Sequence, residues 1–400
     1  MPIPQTVAVL LAGTIPNAKQ DPFRKWRGRM PAAGNFAAAW NRPCFSCYTC
    51  PMWFLGLPSR AQAVFDAYAG LFPACAAGIF DQERVFFAVS GTALHPRRGP
   101  VPADERTAFD LASLTKALAA APAAFLLRQQ GLLRLEASLP CPLPLARPEL
   151  AQHLERTTVA QLLNHSSGLP AYAPFFENAA DLDDMRTQLG QVLPQAAPGE
   201  LFLYSDIGYI FLGMHLSSLI GGDWTVWAVK NLLGGNFSFW KPPAEAAWAD
   251  NREPGNSAMG VHDENARLLG AHCAHAGLFG SLQDVIGWLQ CLCRIYAGLQ
   301  RHPLSLESVR QMWTPLAPED PFTCGFDRPA AAGFTTAGQN ADRRAVVGHL
   351  GFSGTAFWVH PGRFRGGVLL TNRVALGRHA RMEELKRFRA AFFDEVWQFS

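Results

Sequence analysis

A chain of 400 residues, 49% hydrophobic and 17% charged, carries enough apolar material for a large core, which excludes a disordered chain. The formal net charge of +3 comes from scattered arginines rather than a basic block, so nucleic acid is not an expected partner. The nine cysteines are odd in number and dispersed, as expected of free thiols in a reducing, cytoplasmic compartment.

Residues 1–56 mix Pro, Gly, Trp, Arg and Cys without a helical or strand period, and read as a poorly ordered leader before a domain over 57–400. The run "VAVLLAGTI" lacks the basic flank and cleavage site of a secretory signal. "CFSCYTC" (Cys44, Cys47, Cys50) lacks a fourth ligand at cluster spacing, so no metal is assigned there. Order begins with a helical pattern over 58–71, and "AAGIFDQERVFFAVSG" reads as a hairpin turning at Asp81–Arg84.

A buried helix is expected from Ser113 to Gln130, with Pro122 kinking it or marking an irregularity. A short helix over 158–164 would be capped by Thr157 or Thr158. A helix over 206–220 stops at Gly221–Gly222; its apolar run is the nearest approach to a membrane span, but none is assigned. Another helix, over 281–298, has Ser281 as N-cap. "AVVGHLGFSGTAFWVHP" and "GGVLLTNRVAL" read as strands joined at Pro361–Arg365, before a last amphipathic helix over about 379–397. Strands at both ends with helices between imply an α+β fold, an α/β sandwich. Its antiparallel sheet would be built from both chain ends and flanked by helices, with a mostly helical second lobe over about 140–315 and the site between the lobes.

The residues that carry chemistry start with Ser113 and Lys116 in "DLASLTK". Lysine is scarce (the others are Lys19, Lys25, Lys230, Lys241 and Lys386), and this one sits a helical turn from a serine. A serine hydroxyl needs a base within hydrogen-bond reach, and an amine among apolar neighbours can serve. Alone, Ser-x-x-Lys also fits a helix cap with a surface lysine. Three further stretches add to it: "QLLNHSSGLP" (161–170), "LYSDIGYIFLG" (203–213) and "GHLGFSGT" (348–355). With "FDLASLTKA" they resemble, in order and spacing, the serine β-lactamase and penicillin-binding protein superfamily. The likeness is to its class C branch, with D-amino-acid peptidases and family VIII-type esterases, and runs from about residue 58 onward.

The resemblance implies a site. Ser113 would be the acylated nucleophile, Lys116 its partner, and Tyr204 the tyrosine that acts with the lysine as general base. The backbone N–H groups of Ser113 and Phe352 would form the oxyanion hole. Asp206, His349, Leu350 and Gly351 would line the substrate. Two residues depart from the family pattern: Leu350 lacks the hydroxyl that helps hold a substrate carboxylate, and Asp206 replaces an asparagine. Both disfavour an anionic β-lactam and favour a neutral or cationic ester or amide, so a serine hydrolase of esterase or peptidase type with weak or no β-lactamase activity is expected, without cofactor. The alternatives are an acyltransferase using the same residues and a silent member that binds peptide or cell-wall fragments. His262, Asp263, Glu264, His272 and His275 crowd one stretch without H-E-x-x-H spacing, and read as a loop lining the cleft rather than a metal site.

Overall fold

The computed structural model describes residues 52–143, 146–244, 246–255 and 260–399. In chain order come β1 (Met52–Leu55), α1 (Ser59–Tyr68), β2 (Ala74–Phe80), β3 (Arg84–His95), β4 (Gly99–Pro102) and β5 (Ala108–Asp110). A π-helical turn (Lys116–Ala120) leads into α2 (Ala121–Gln129), then α3 (Pro148–Arg156), α4 (Val159–Leu163), α5 (Leu182–Leu189), α6 (Asp206–Ile220) and α7 (Trp224–Asn231). After the two-residue β6 (Ser238–Phe239) come α8 (Glu264–Leu269), β7 (Leu278–Ser281), α9 (Leu282–Tyr296) and α10 (Leu306–Trp313). The chain then forms β8 (Val347–Leu350), β9 (Ala356–His360), β10 (Arg365–Thr371) and α11 (Met382–Gln398).

The main sheet runs β1-β3-β2-β10-β9-β8, with β4 paired to β3. At its centre β2 and β10 lie antiparallel with Ala76 opposite Leu370, so both ends of the domain build one sheet, as expected. The two-residue strand period divides its buried side chains between two cores. Ala74, Ala76 and Phe80 of β2 face the core shared with α2 and α9, while Cys75, Ala77 and Ile79 face α1 and α11. A second sheet, β5-β7-β6, lies beside the turn that leads from β5 to Ser113.

Three expectations change and one, at Pro122, is met. The leader was to run to residue 56, yet Met52–Leu55 is β1, and it pairs parallel to β3 in an otherwise antiparallel sheet. Aromatic contacts hold it there: Phe54 stacks on Phe86 at 5.0 Å and Trp53 meets Phe87 edge-on at 5.6 Å. Residues 1–51, and with them "VAVLLAGTI" and "CFSCYTC", lie outside the described residues. Second, α9 falls within the expected helical lobe but packs on the sheet: the Ile286 side chain occupies the space where a Cβ on Gly78 of β2 would stand.

Third, the helix expected from Ser113 runs on without a break but carries the irregularity expected at Pro122, a π-helical turn over Lys116–Ala120. Pro122 has no N–H for the carbonyl of Leu118, and that carbonyl accepts instead from the Trp288 indole at 2.9 Å. One step earlier the Ala121 N–H reaches back to Lys116 O, which widens the turn around the lysine. Fourth, the stretch "AVVGHLGFSGTAFWVHP" holds two strands, β8 and β9, separated by a turn at residues 351–355.

Capping chemistry behaves as expected at several ends. Thr158 forms a capping box with Gln161 and Ser281 one with Asp284, while Gly221 closes α6 at φ 69°.

Candidate active site

Ser113 follows β5 through a sharp turn held by one carboxylate. Asp110 Oδ1 accepts from the Ala112 N–H (2.9 Å), and Oδ2 accepts from the His262 N–H (2.8 Å) and the Asn251 amide (2.9 Å). Burial raises the Asp110 pKa, and these donors act against that. Ala112 takes φ 48°, in the left-handed region, which turns the chain and projects Ser113 from the start of the helix.

One turn on, the Lys116 side chain is fully buried. Its Nζ donates to Ser113 Oγ (3.0 Å), Asp206 Oδ1 (2.6 Å) and the carbonyl of His275 (3.0 Å). Those acceptors match the three donors that a lysine ammonium presents. Asp206 is free to reach it because Ser205, not Asp206, caps α6, accepting from the Gly208 N–H at 3.0 Å. The structure therefore pairs Asp206 with Lys116, where the sequence suggested a substrate contact.

Tyr204 lies over this pair, with Lys116 Nζ 4.8 Å from its ring centroid. Burial foremost, then the charges of Asp206 and Asp327, hold its phenol well above the ordinary range, and the Ser113 hydroxyl acts in the opposite sense. His165 packs beneath at 4.4 Å between ring centroids, its Nδ1 accepting from the Ser205 N–H. Burial pushes the His165 pKa well down, so a neutral ring supports Tyr204 from below.

His349 is buried too, 6.0 Å from Tyr204 between ring centroids. Its Nδ1 lies 2.9 Å from Leu350 O, and a carbonyl only accepts, so the proton sits on Nδ1. Burial lowers its pKa, which leaves Nε2 as a lone pair without a protein hydrogen-bond partner among the described residues, 4.0 Å from Asp327. Leu350 points the other way, packing against the core under α11. Only its backbone remains at the strand edge beside the site.

The turn after β8 is stitched to the turn that carries Ser113. Ser353 Oγ donates to Asp110 O (2.7 Å) and Thr355 Oγ1 to Leu111 O (3.1 Å). Gly351 is required here: a Cβ would stand 2.0 Å from Thr355 Oγ1 and 2.9 Å from Leu111 O. Among the described residues no backbone carbonyl accepts from the N–H of Ser113 or Phe352, the two donors assigned to the oxyanion hole. The Phe352 ring is 40% exposed, under Arg373 at 4.9 Å and Arg378 at 5.3 Å.

Against this geometry, a Beta-lactamase family model matches residues 61–391. The chain belongs to the Beta-lactamase family. An N-acetylmuramyl-L-alanine amidase of Bacillus subtilis (strain 168) is 28% identical over 313 residues, covering 69% of this chain and 70% of the relative. Two solved structures share the fold. A class C beta-lactamase has a TM-score of 0.63 at 17% identity, covering 85% of this chain and 96% of that one. EstCE1, a hydrolase with promiscuous acyltransferase activity, has a TM-score of 0.62 at 19% identity, covering 84% and 97%.

In this Beta-lactamase family chain the His/Asp/Glu stretch divides among separate partners. His262 meets Glu253 (2.8 Å), Asp263 meets His275 (2.9 Å), Glu264 meets Arg378 (2.9 Å), and His272 lies 3.4 Å from Arg186. Among the described residues no group of three or more such side chains could hold a metal ion. The Asp263 carboxylate, which also caps α8, holds the His275 pKa well above its ordinary value against the effect of burial. Sequence reasoning missed Asp110, Ser353, Thr355, Arg373 and Arg389. The quoted motifs contain the first three, but the partners of Ser353 and Thr355 are carbonyls, and two of the three donors to Asp110 are groups of His262 and Asn251, all brought close only by the fold.

Proposed function

We propose that the chain is a serine hydrolase in which Ser113 is acylated by an ester or amide substrate. The observation that carries this reading is the wholly buried Lys116 with Nζ 3.0 Å from Ser113 Oγ, beneath Tyr204. In the reactive form the Lys116–Tyr204 pair is one proton short and takes the Ser113 proton as Oγ attacks the carbonyl carbon. The oxyanion is met by the N–H groups of Ser113 and Phe352, donors fixed in place before charge develops on the oxygen. The proton then passes to the leaving alcohol or amine, and an ester links the acyl group to Ser113. Water, deprotonated by the same pair, attacks that ester, releasing the acid and restoring Ser113.

The site favours neutral or cationic substrates. Arg378 is engaged by Glu264, and Arg373 Nη groups donate to the carbonyls of Phe352, Arg378 and Ala380. The Ser353 and Thr355 hydroxyls already donate to backbone. Carboxylates of Asp206, Asp263 and Asp327 surround Tyr204. The relative named N-acetylmuramyl-L-alanine amidase supports amides as one substrate class. Intact mass after incubation with p-nitrophenyl acetate should show one acetyl adduct, absent in Ser113→Ala, with turnover falling by at least about 10⁴-fold. An adduct persisting in Ser113→Ala refutes the assignment.

A further inference from the structure

The peptide that carries the second oxyanion donor is held from behind by a buried cation. Arg389, on α11, uses Nη2 to donate to Gly351 O (2.9 Å) and Thr355 O (2.7 Å). In a trans peptide the carbonyl and the next N–H point in opposite directions, and the described chain has no cis bond. With Gly351 O turned toward α11, the Phe352 N–H must point away from α11. Gly351 itself lies close to the turn that carries Ser113: a Cβ on it would stand 2.9 Å from Leu111 O.

We propose that Arg389 is a positioning residue for the oxyanion hole, aiming and polarising the Phe352 N–H through the peptide unit that it grips at Gly351 O. This rests on the reading of Ser113 and Phe352 as oxyanion donors. Arg389 has no carboxylate in ion-pair contact among the described residues, and its Nε has no hydrogen-bond partner. Burying a guanidinium in that way is costly unless it does something a neutral side chain cannot. A charged donor on a carbonyl shifts electron density along the amide and makes the N–H of the same unit a stronger donor. The neighbouring carbonyl, Phe352 O, is fixed by Arg373 Nη2 at 2.7 Å, so both peptide planes flanking Phe352 are set by arginines.

The test compares wild type, Arg389→Lys and Arg389→Met with a neutral p-nitrophenyl ester and with phenylboronic acid, which adds to serine and places a tetrahedral oxygen in the hole. In Arg389→Met, kcat should fall about 10- to 100-fold with KM within about threefold, below the effect of deleting a donor outright. Boronate affinity should fall by the same factor as kcat. Arg389→Lys, which keeps a buried cation, should lie between the two. If Arg389→Met does not fold, the lysine variant decides alone through matched losses in kcat and boronate affinity. Unchanged boronate affinity, or kcat and KM worsening together without partial rescue by lysine, overturns the proposal. Mass mapping of the ester adduct tests the underlying reading separately. An adduct away from Ser113 defeats both, whereas an adduct on Ser113 with unaltered boronate affinity in the variants defeats only the role of Arg389.

Discussion

The two turns that meet at the site are held by opposite chemistry. At residues 110–113 a carboxylate, Asp110, gathers N–H groups; at residues 351–355 guanidinium groups of Arg389 and Arg373 gather carbonyls. The first turn consumes the N–H of Ala112 and leaves that of Ser113. The second consumes the carbonyls of Gly351 and Phe352 and leaves the N–H of Phe352. An anion behind one turn and cations behind the other thus yield the same product, an unpaired donor. Neither arrangement requires a side chain to touch the substrate.

Substitutions at four positions break or sharpen this comparison, in falling order of expected effect. Asp110→Ala strands two backbone N–H groups and an amide in the interior, and should lower stability by about 4 kcal/mol. Asp110→Asn, keeping one acceptor, should lose about half of that in urea melts. Equal losses would mean that the acceptor oxygens are not what holds the turn. Gly351→Ala drives a methyl into Thr355 Oγ1, a buried group bonded to Leu111 O, so about 2–3 kcal/mol of overpacking is expected. The same change should cut kcat by tenfold or more, because the stitch between the turns is forced apart. A variant with wild-type Tm and kcat would show that the turns move independently.

At the third position, Asp206→Asn alters what lies between the turns. Tyr204 accepts a proton only after losing its own, and Asp206 is one of the charges that raise its pKa. Removing that charge lowers the folded pKa, so the ascending limb of kcat/KM should move to lower pH. A displacement of the limb to lower pH, with faster turnover at any fixed pH on it, is expected. A limb that stays in place or moves upward removes Tyr204 from the base. The smallest effect belongs to Ala112→Gly: glycine accepts φ 48° without strain but loses more chain entropy on folding. A gain of at most about 1 kcal/mol with unchanged kcat is expected in thermal melts; a clear loss would show that the Ala112 methyl contributes packing that outweighs the backbone strain.

What could be read in advance was whatever depends on short spacing. Ser113 with Lys116, the capping boxes at Thr158 and Ser281, and the stop at Gly221 involve neighbours within a turn or two, so the order of residues suffices. The pairing of Asp206 with Lys116 was not legible, because whether Ser205 or Asp206 caps α6 is decided by the turn before it. Arg389 and Thr355 were silent: their partners are carbonyls, which every residue has, so no residue type announces them. α9 showed its apolar stripe, but periodicity tells which face is buried and not which layer buries it. β1 was lost because four residues between Pro51 and Gly56 are too few to establish a period.

The pairing of β2 with β10 sets the order in which this fold can be completed during synthesis. Cys75 sits opposite Thr371, and Phe80 opposite Gly366, so the central ladder joins segments made at widely separated times. While the ribosome is still translating the helical middle, β2 and β3 can form their hairpin, yet β2 keeps one hydrogen-bonding edge unpaired. Such an edge is a template for pairing with another nascent chain, and a ladder of this sequence separation closes slowly. The same strand carries Ala74–Ala77, small residues with little to gain from early burial, which keeps that waiting edge unattractive until β10 arrives.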